Sequence, residues 1–226
     1  MHYDYVIAGN VMLDSVRFAD GSEHVQESIG GPSTFAYAGV KLWTDAVMQC
    51  SNVGADYETL FDPWIKKNEV ITDGFKIVCD RCNHTLLVYN ENGTYGSGNV
   101  SQDDEEYKWL KHDAFQDFGY MKTKPEEIGE FTKEKNVKGV YLAQYADLTF
   151  WKKLGAIKKR DGFKMMWEIE GPWALKHYLD RVYAIAKENV DIFSINIEEC
   201  QNLFEVGGDE ACIRSLQTLK YLLQEN

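Results

Sequence analysis

Val140-Tyr141-Leu142, Met165-Met166-Trp167 and Ile192-Phe193-Ser194-Ile195 are three short apolar runs, and two amphipathic stretches separate them, Leu148 to Lys159 and Leu175 to Lys187. A third amphipathic stretch, Glu210 to Leu223, follows. Strands that are apolar throughout, rather than at alternate positions, bury both faces. Joined by helical crossovers, they form a mostly parallel sheet. The same rhythm opens the chain. Tyr5-Val6-Ile7-Ala8 reads as a strand, Gly31 to Leu42 as a helix with Phe35, Ala38, Gly39 and Leu42 at helical spacing, Ala46-Val47-Met48 as a strand, and Tyr57 to Lys67 as a helix. The expected class is α/β, a single domain over residues 1–226 with helices on both faces of the sheet.

Two regions depart from that rhythm. Val16 to Ile29 is strand-like and polar, broken by Asp20-Gly21. Phe75–Val78 and Thr85–Tyr89 end in the turn Asn90-Glu91-Asn92-Gly93. Both fit hairpin strands with one solvated face. The expectation is a small second sheet with strands from about 15–29 and 75–95, a natural lid for a site at the strand ends. The acidic run Ser101-Gln102-Asp103-Asp104-Glu105-Glu106 reads as an N-cap with an acidic first helical turn.

Composition narrows the partners. With 24 Lys and Arg against 36 Asp and Glu, the formal net charge is −12. Such a surface repels phosphate backbones and anionic lipid heads, so neither nucleic acid nor a membrane is an expected partner. No apolar stretch is long enough to span a bilayer, and the N-terminus lacks the basic and apolar regions of a signal peptide. Five scattered cysteines suit reduced thiols in the cytoplasm. Cys79 and Cys82 form a lone C-x-x-C with only His84 nearby, which reads as two thiols at a strand end or turn rather than a zinc or redox site.

In an open α/β sheet, ligands bind beyond the carboxyl ends of the strands. Three clusters fall there. In Gly9-Asn10-Val11-Met12-Leu13-Asp14, after the first strand, Asp14 suits two adjacent hydroxyls of a polyol, and it also reads as a solvated turn carboxylate. Gly30-Gly31-Pro32-Ser33-Thr34 opens a helix, and paired glycines there let a ligand approach the backbone and the unpaired N–H groups. A plain helix start has the same sequence, with Pro32 in the first turn. In Asn196-Ile197-Glu198-Glu199, an amide and a carboxylate three apart suit a hydrated Mg²⁺, and equally form a capping box. No G-x-G-x-x-G follows the first strand, which sets aside a dinucleotide-binding oxidoreductase.

Taken in order, these clusters resemble a known family. Ile29-Gly30-Gly31-Pro32-Ser33-Thr34-Phe35-Ala36-Tyr37-Ala38 looks like the first signature of the ribokinase-like, or PfkB, carbohydrate kinases. Asn52-Val53-Gly54-Ala55-Asp56 follows a strand in the family's order, and Asp191 to Cys200 looks like its strand-Asn-x-x-Glu element. The resemblance covers essentially the whole chain. It implies a Rossmann-like sheet with a β-sheet lid and an ATP-dependent kinase for a hydroxyl of a sugar or related polyol. Asn10, Asp14, Gly30 and Gly31 would bind the substrate, and Asn196 and Glu199 would organise Mg²⁺ and the phosphates of ATP. It also implies a homodimer through the lid strands.

Two departures stand out. Where many members carry an Asn that contacts the sugar, this chain has Ser33-Thr34-Phe35, and Phe35 is expected in the core. The family's G-x-G-D turn, whose amides form an anion hole and whose Asp is the base, has no counterpart here. Gly207-Gly208-Asp209 lacks its spacing and reads as a turn and N-cap. The expectation is a C-terminally incomplete kinase without the nucleotide-binding segment, inactive in phosphoryl transfer by itself. The alternative is a non-catalytic sugar-binding or regulatory homologue.

Overall fold

The computed structural model describes residues 2–92, 95–97, 122–133 and 136–224. The acidic run 101–106 lies outside them. The apolar runs become strands of one six-stranded sheet flanked by helices: β1 (Tyr5–Ala8), β4 (Val47–Gly54), β5 (Phe75–Cys79), β8 (Gly139–Gln144), β9 (Lys164–Ile169) and β10 (Ile192–Ser194), in the order β10-β9-β8-β1-β4-β5. The β1–β8, β8–β9, β9–β10 and β4–β5 ladders are all parallel. A second sheet of four strands, in the order β3-β2-β6-β7, contains β2 (Met12–Arg17), β3 (Glu23–Gly30), β6 (Asn83–Tyr89) and β7 (Tyr95–Ser97). It is mixed: β2 runs antiparallel to β3 and parallel to β6, and β6 antiparallel to β7. The α/β class and the small added sheet are therefore present.

The helices are α1 (Pro32–Lys41), α2 (Tyr57–Lys67), α3 (Pro125–Thr132), α4 (Leu148–Asp161), α5 (Leu179–Asn189), α6 (Ile197–Phe204) and α7 (Asp209–Gln224). The chain forms two compact units. One is Met1–Ala8, Asp45–Val47 and Lys124–Asn226; the other is Gly9–Thr44 and Met48–Thr123.

In the first unit, α4 and β9 bury Trp151 against Trp167, with ring centroids 4.8 Å apart. Each indole N–H is matched by a backbone carbonyl, Trp151 Nε1 to Tyr145 O at 2.8 Å and Trp167 Nε1 to Gln144 O at 2.9 Å, so large aromatic volume is buried with no donor stranded. Asp147 caps α4 through Thr149 N and Phe150 N, and Gly162, at φ 79°, ends it in the left-handed region. The helix expected from Leu175 begins instead at Leu179, after 3₁₀ turns at Gly171–Trp173 and Lys176–Tyr178. Gly207-Gly208-Asp209 is a turn leading into α7, with Gly208 at φ 78°.

In the second unit, Val11, Leu13, Val53, Phe61 and Cys82 form the core, with Ile29, Tyr57 and Phe75 packed on it. Two expectations need correction. The run Phe75–Val78 is not in the small sheet. As β5 it extends the main sheet beside β4, because a short apolar run serves a parallel ladder as well as a hairpin. Asp14 is not in a turn but inside β2, between Leu13 and Ser15, which are both buried.

Candidate functional site

The second unit brings together all four residues expected to meet substrate. Strand alternation puts Met12, Asp14 and Val16 on one side of β2 and Leu13 and Ser15 on the other. The β2–β3 ladder pairs Met12 with Gly30, so Asp14, two residues along, leans diagonally over Gly30. A register shift between Asp14 and Val16 interrupts that ladder at this point, the kind of irregularity that re-aims a side chain. A Cβ on Gly30 would coincide with the Asp14 carboxylate, so glycine here makes room for it. Burial pushes the Asp14 carboxyl up to about 6, against the opposing effect of a hydrogen bond from the Gly31 N–H.

Gly31 is the N-cap of α1. Its φ of 93° lies in the range that side chains rarely adopt, and a Cβ there would collide with the carbonyl oxygen of Asn10. That carbonyl accepts from Ser33 Oγ at 2.6 Å. Ser33 Oγ in turn accepts from Gln49 Nε2 at 3.1 Å and lies 3.4 Å from Ser51 Oγ. Thr34 Oγ1 donates to Gly30 O at 2.9 Å. Ser33, Thr34, Gln49 and Ser51 are all buried, so a polar web fixes the loop after β1, the end of β3 and the start of α1.

Within that web the Oδ1 of Asn10 is buried and has no hydrogen-bond partner among the described residues, as does Gln49 Oε1. Such an acceptor costs free energy unless something donates to it. Gln49 was missed in the sequence. The signal was one amide inside a strand, Val47 to Gly54, that is buried at every position.

The expectation that Phe35 lies in the core is overturned: it is 63% exposed. Ser33, Thr34 and Tyr37 face inward instead, Tyr37 edge-on to Trp64 with centroids 5.9 Å apart. The hydrogen bonds of Ser33 and Thr34 select the inner face of α1 and leave Phe35, Leu42 and Trp43 outward.

Asn196 and Glu199 belong to the first unit, at the start of α6, and form a reciprocal capping box. Glu199 N donates to Asn196 Oδ1 at 2.8 Å and Asn196 N to Glu199 Oε2 at 3.0 Å. Burial raises the Glu199 pKa, the Asn196 N–H opposes, and the negative charges of Glu168, Glu198 and Glu170 add to the rise. The cap uses Oε2 and leaves Oε1 for another interaction. Among the described residues, no group of three or more His, Cys, Asp or Glu side chains is arranged to hold a metal ion. Cys82 is buried, its thiol pushed up to about 12 chiefly by burial, and its N–H donates to Asp56 Oδ1 at 2.7 Å. That is an inert thiol at the start of β6.

No family model matches the sequence, and no curated protein matches it. Solved structures do. Ribokinase from Giardia lamblia superposes with a TM-score of 0.62 at 15% identity, over 96% of this chain and 67% of that one. Fructokinase from Vibrio cholerae matches with a TM-score of 0.60 at 13% identity, over 95% of this chain and 71% of that one. A Burkholderia thailandensis nucleoside kinase in complex with inosine matches with a TM-score of 0.61 at 9% identity, over 93% and 67%. The fold is that of the ribokinase-like carbohydrate kinases. Within this ribokinase-like fold the chain spans about two-thirds of the length of the matched structures. No described helix is long and apolar enough to cross a membrane.

Proposed function

We propose that this chain is the substrate-binding part of an ATP-dependent kinase that phosphorylates a hydroxyl of a sugar or related polyol. One observation carries the reading. Asp14 is a half-buried carboxyl whose pKa burial raises to about 6, and in the same unit the buried Oδ1 of Asn10 has no hydrogen-bond partner among the described residues. Both are acceptors; Gly30 leaves room for the Asp14 carboxylate, and Gly31 for the backbone of Asn10. Two adjacent hydroxyls of a polyol supply the missing donors, and their hydrogen bonds to the ionised carboxylate are of the strong, charge-assisted kind.

Asn196 and Glu199 are the residues that would hold Mg²⁺ and the phosphates of ATP. Their fit is that of a partial site. Glu199 sits among like charges, which a cation relieves, and has one oxygen outside the cap. Mg²⁺ keeps most of its waters and needs only one or two carboxylates. Bound there, the metal would offset the charge of the nucleotide against a protein of net charge −12. The same reading carries a homodimer through the small sheet, of which β3 and β7 are the outer strands.

The test is calorimetric titration of the purified chain with a panel of sugars, polyols and nucleosides at pH 7.5. At least one should bind, and Asp14→Asn should weaken it by tenfold or more. Absence of binding across the panel, or binding indifferent to Asp14→Asn, would overturn the assignment.

A further inference from the structure

We propose that the outer face of α1 is a self-association surface, on which a second copy of this chain packs antiparallel about a twofold axis near Ala38 and Gly39. The inference is independent of the substrate reading, and the face is distinct from the outer strands β3 and β7.

Phe35, Ala38, Gly39, Leu42 and Trp43 fall at i, i+3, i+4, i+7 and i+8, one stripe of a helix, and all five are exposed. The helical path carries on past Lys41. Leu42 keeps right-handed helical angles, φ −63° and ψ −21°, and Trp43 N and Thr44 N both donate to Val40 O, at 2.9 and 3.1 Å. Ser33, Thr34 and Tyr37 take the opposite, buried face, so the stripe has no core to join. Single exposed apolar side chains are ordinary, whereas a contiguous set marks an interface.

Three observations select a second copy as the occupant. The stripe reads the same in both directions, with large side chains at its ends and the smallest residues, Ala38 and Gly39, at its centre. An isologous contact needs that symmetry. In an antiparallel pair Phe35 meets Leu42 and Trp43 of the second copy, and the small central residues let the helix axes approach closely. Charge points the same way. The chain carries 36 acidic residues in 226, yet Gly31 to Thr44 has none, and Lys41 is its only charged residue. A protein of net charge −12 associates with itself only where carboxylates do not meet. One lysine is also too few for an anionic lipid surface.

The third observation is area. Phe35 is 63% exposed, Leu42 84% and Trp43 89%. A buried aromatic covers about 150–250 Å², so the two rings offer on the order of 300 Å² per copy. Leu42 adds on the order of 100 Å². Three side chains thus supply about 800 Å² over two copies, against about 1,200 Å² for the smallest stable interfaces. Flanking residues narrow that gap, and the dimer is weak, reversible and anchored by Trp43.

Sedimentation velocity of the purified chain from about 1 to 200 µM at 0.15 M salt tests this. A monomer–dimer equilibrium should appear in that range, and Trp43→Ser should weaken it tenfold or more. Gly39→Gln separates interface from fold. A Cβ there meets nothing within 4 Å, and glutamine is the better helix former, so the thermal midpoint should not fall. In the dimer the same side chain blocks the central approach, so association should again drop tenfold or more. Ile213→Ser, at an exposed position of α7, should leave association unchanged. A chain that stays monomeric throughout would overturn the inference, as would monomers that co-sediment through Trp43 with phosphatidylcholine–phosphatidylserine vesicles, which assign the face to lipid. A dimer that either α1 substitution fails to weaken, or that Ile213→Ser weakens equally, would overturn it in favour of another face.

Discussion

At the residue scale, Asp14 links function to a cost in stability. An ordinary aspartate ionises near 3.9 in an unfolded chain, whereas Asp14 does so at about 6 in the folded one. Between those values the native state binds the proton and the unfolded state does not, so stability falls as pH rises from 4 to 6 and stays lower above. A shift of about two units would correspond to about 3 kcal/mol for a fully desolvated group, and solvent screening of the half-buried Asp14 cuts that to about 1–2 kcal/mol. Asp14→Asn keeps an acceptor for the Gly31 N–H and removes the buried charge. It should therefore stabilise the unliganded protein at pH 7 by about 1–2 kcal/mol in urea titration, while weakening ligand binding; a destabilised variant would contradict this account. Two glycines separate site from scaffold. A Cβ on Gly54 would meet the backbone of Arg81 and Cys82, which cannot yield. The nearest atoms to a Cβ on Gly30 would all belong to the Asp14 side chain, which can swing away. Gly54→Ala should cost about 3 kcal/mol or more. Gly30→Ala should stay folded by circular dichroism and lose ligand affinity tenfold or more.

At the element scale, helix ends obey local chemistry. Asp147, bonded to Thr149 N at 2.7 Å and Phe150 N at 3.2 Å, is the N-cap of α4. Asp147→Ala should cost about 1 kcal/mol in urea denaturation, and Asp147→Ser should restore most of it. Caps of this kind are legible in sequence because both partners lie within four residues: Asn196-x-x-Glu199 and Gly31-Pro32 were read directly, and the structure places them at the starts of α6 and α1. What was not legible depends on distant partners. The hydrophobic spacing of Phe35, Ala38, Gly39 and Leu42 marks a helix correctly, but not which side faces in. That is decided by Gln49, fifteen or more residues downstream, whose amide reaches Ser33 and Thr34. Likewise Phe75–Val78 has the same composition whether it pairs with a hairpin neighbour or with β4, and only the ladder distinguishes them. The candidate site was legible as residue types, Asp14 and the glycine pair. Its geometry, with Asp14 inside a strand and Asn10 Oδ1 stranded, was not.

At the scale of the whole molecule, three terms bear on the pH of greatest stability. The first is net charge. At −12 the folded chain repels itself, and exposed pairs such as Lys66–Asp62 and Lys153–Glu126 offset little of that. Acidification toward the sequence pI near 4.9 removes the repulsion. The second is Asp14, whose penalty disappears over the same interval as its carboxyl takes up a proton below about 6. The third acts in the opposite direction. Burial would raise Asp191, but bonds from Lys158, the Met165 N–H and Lys164 outweigh it and bring its pKa to about 2. A depressed carboxyl stabilises fully above its unfolded pKa near 3.9 and loses that contribution as pH falls toward 2. The first two terms rise on going from pH 7 to 5, and the third begins to fail only below about 4. Thermal midpoints measured between pH 4 and 8 at 0.15 M salt should therefore peak between about 4.5 and 5.5, lower than is usual for a globular domain. Asp14→Asn should flatten the acid-side rise, because one of its two sources is gone. Lys158→Met should lower the plateau above pH 4 and make the loss below it shallower, since Asp191 then keeps a single lysine, Lys164, at 2.9 Å. A midpoint that climbs steadily from pH 5 to 8 would show that neither self-repulsion nor the buried Asp14 governs the fold.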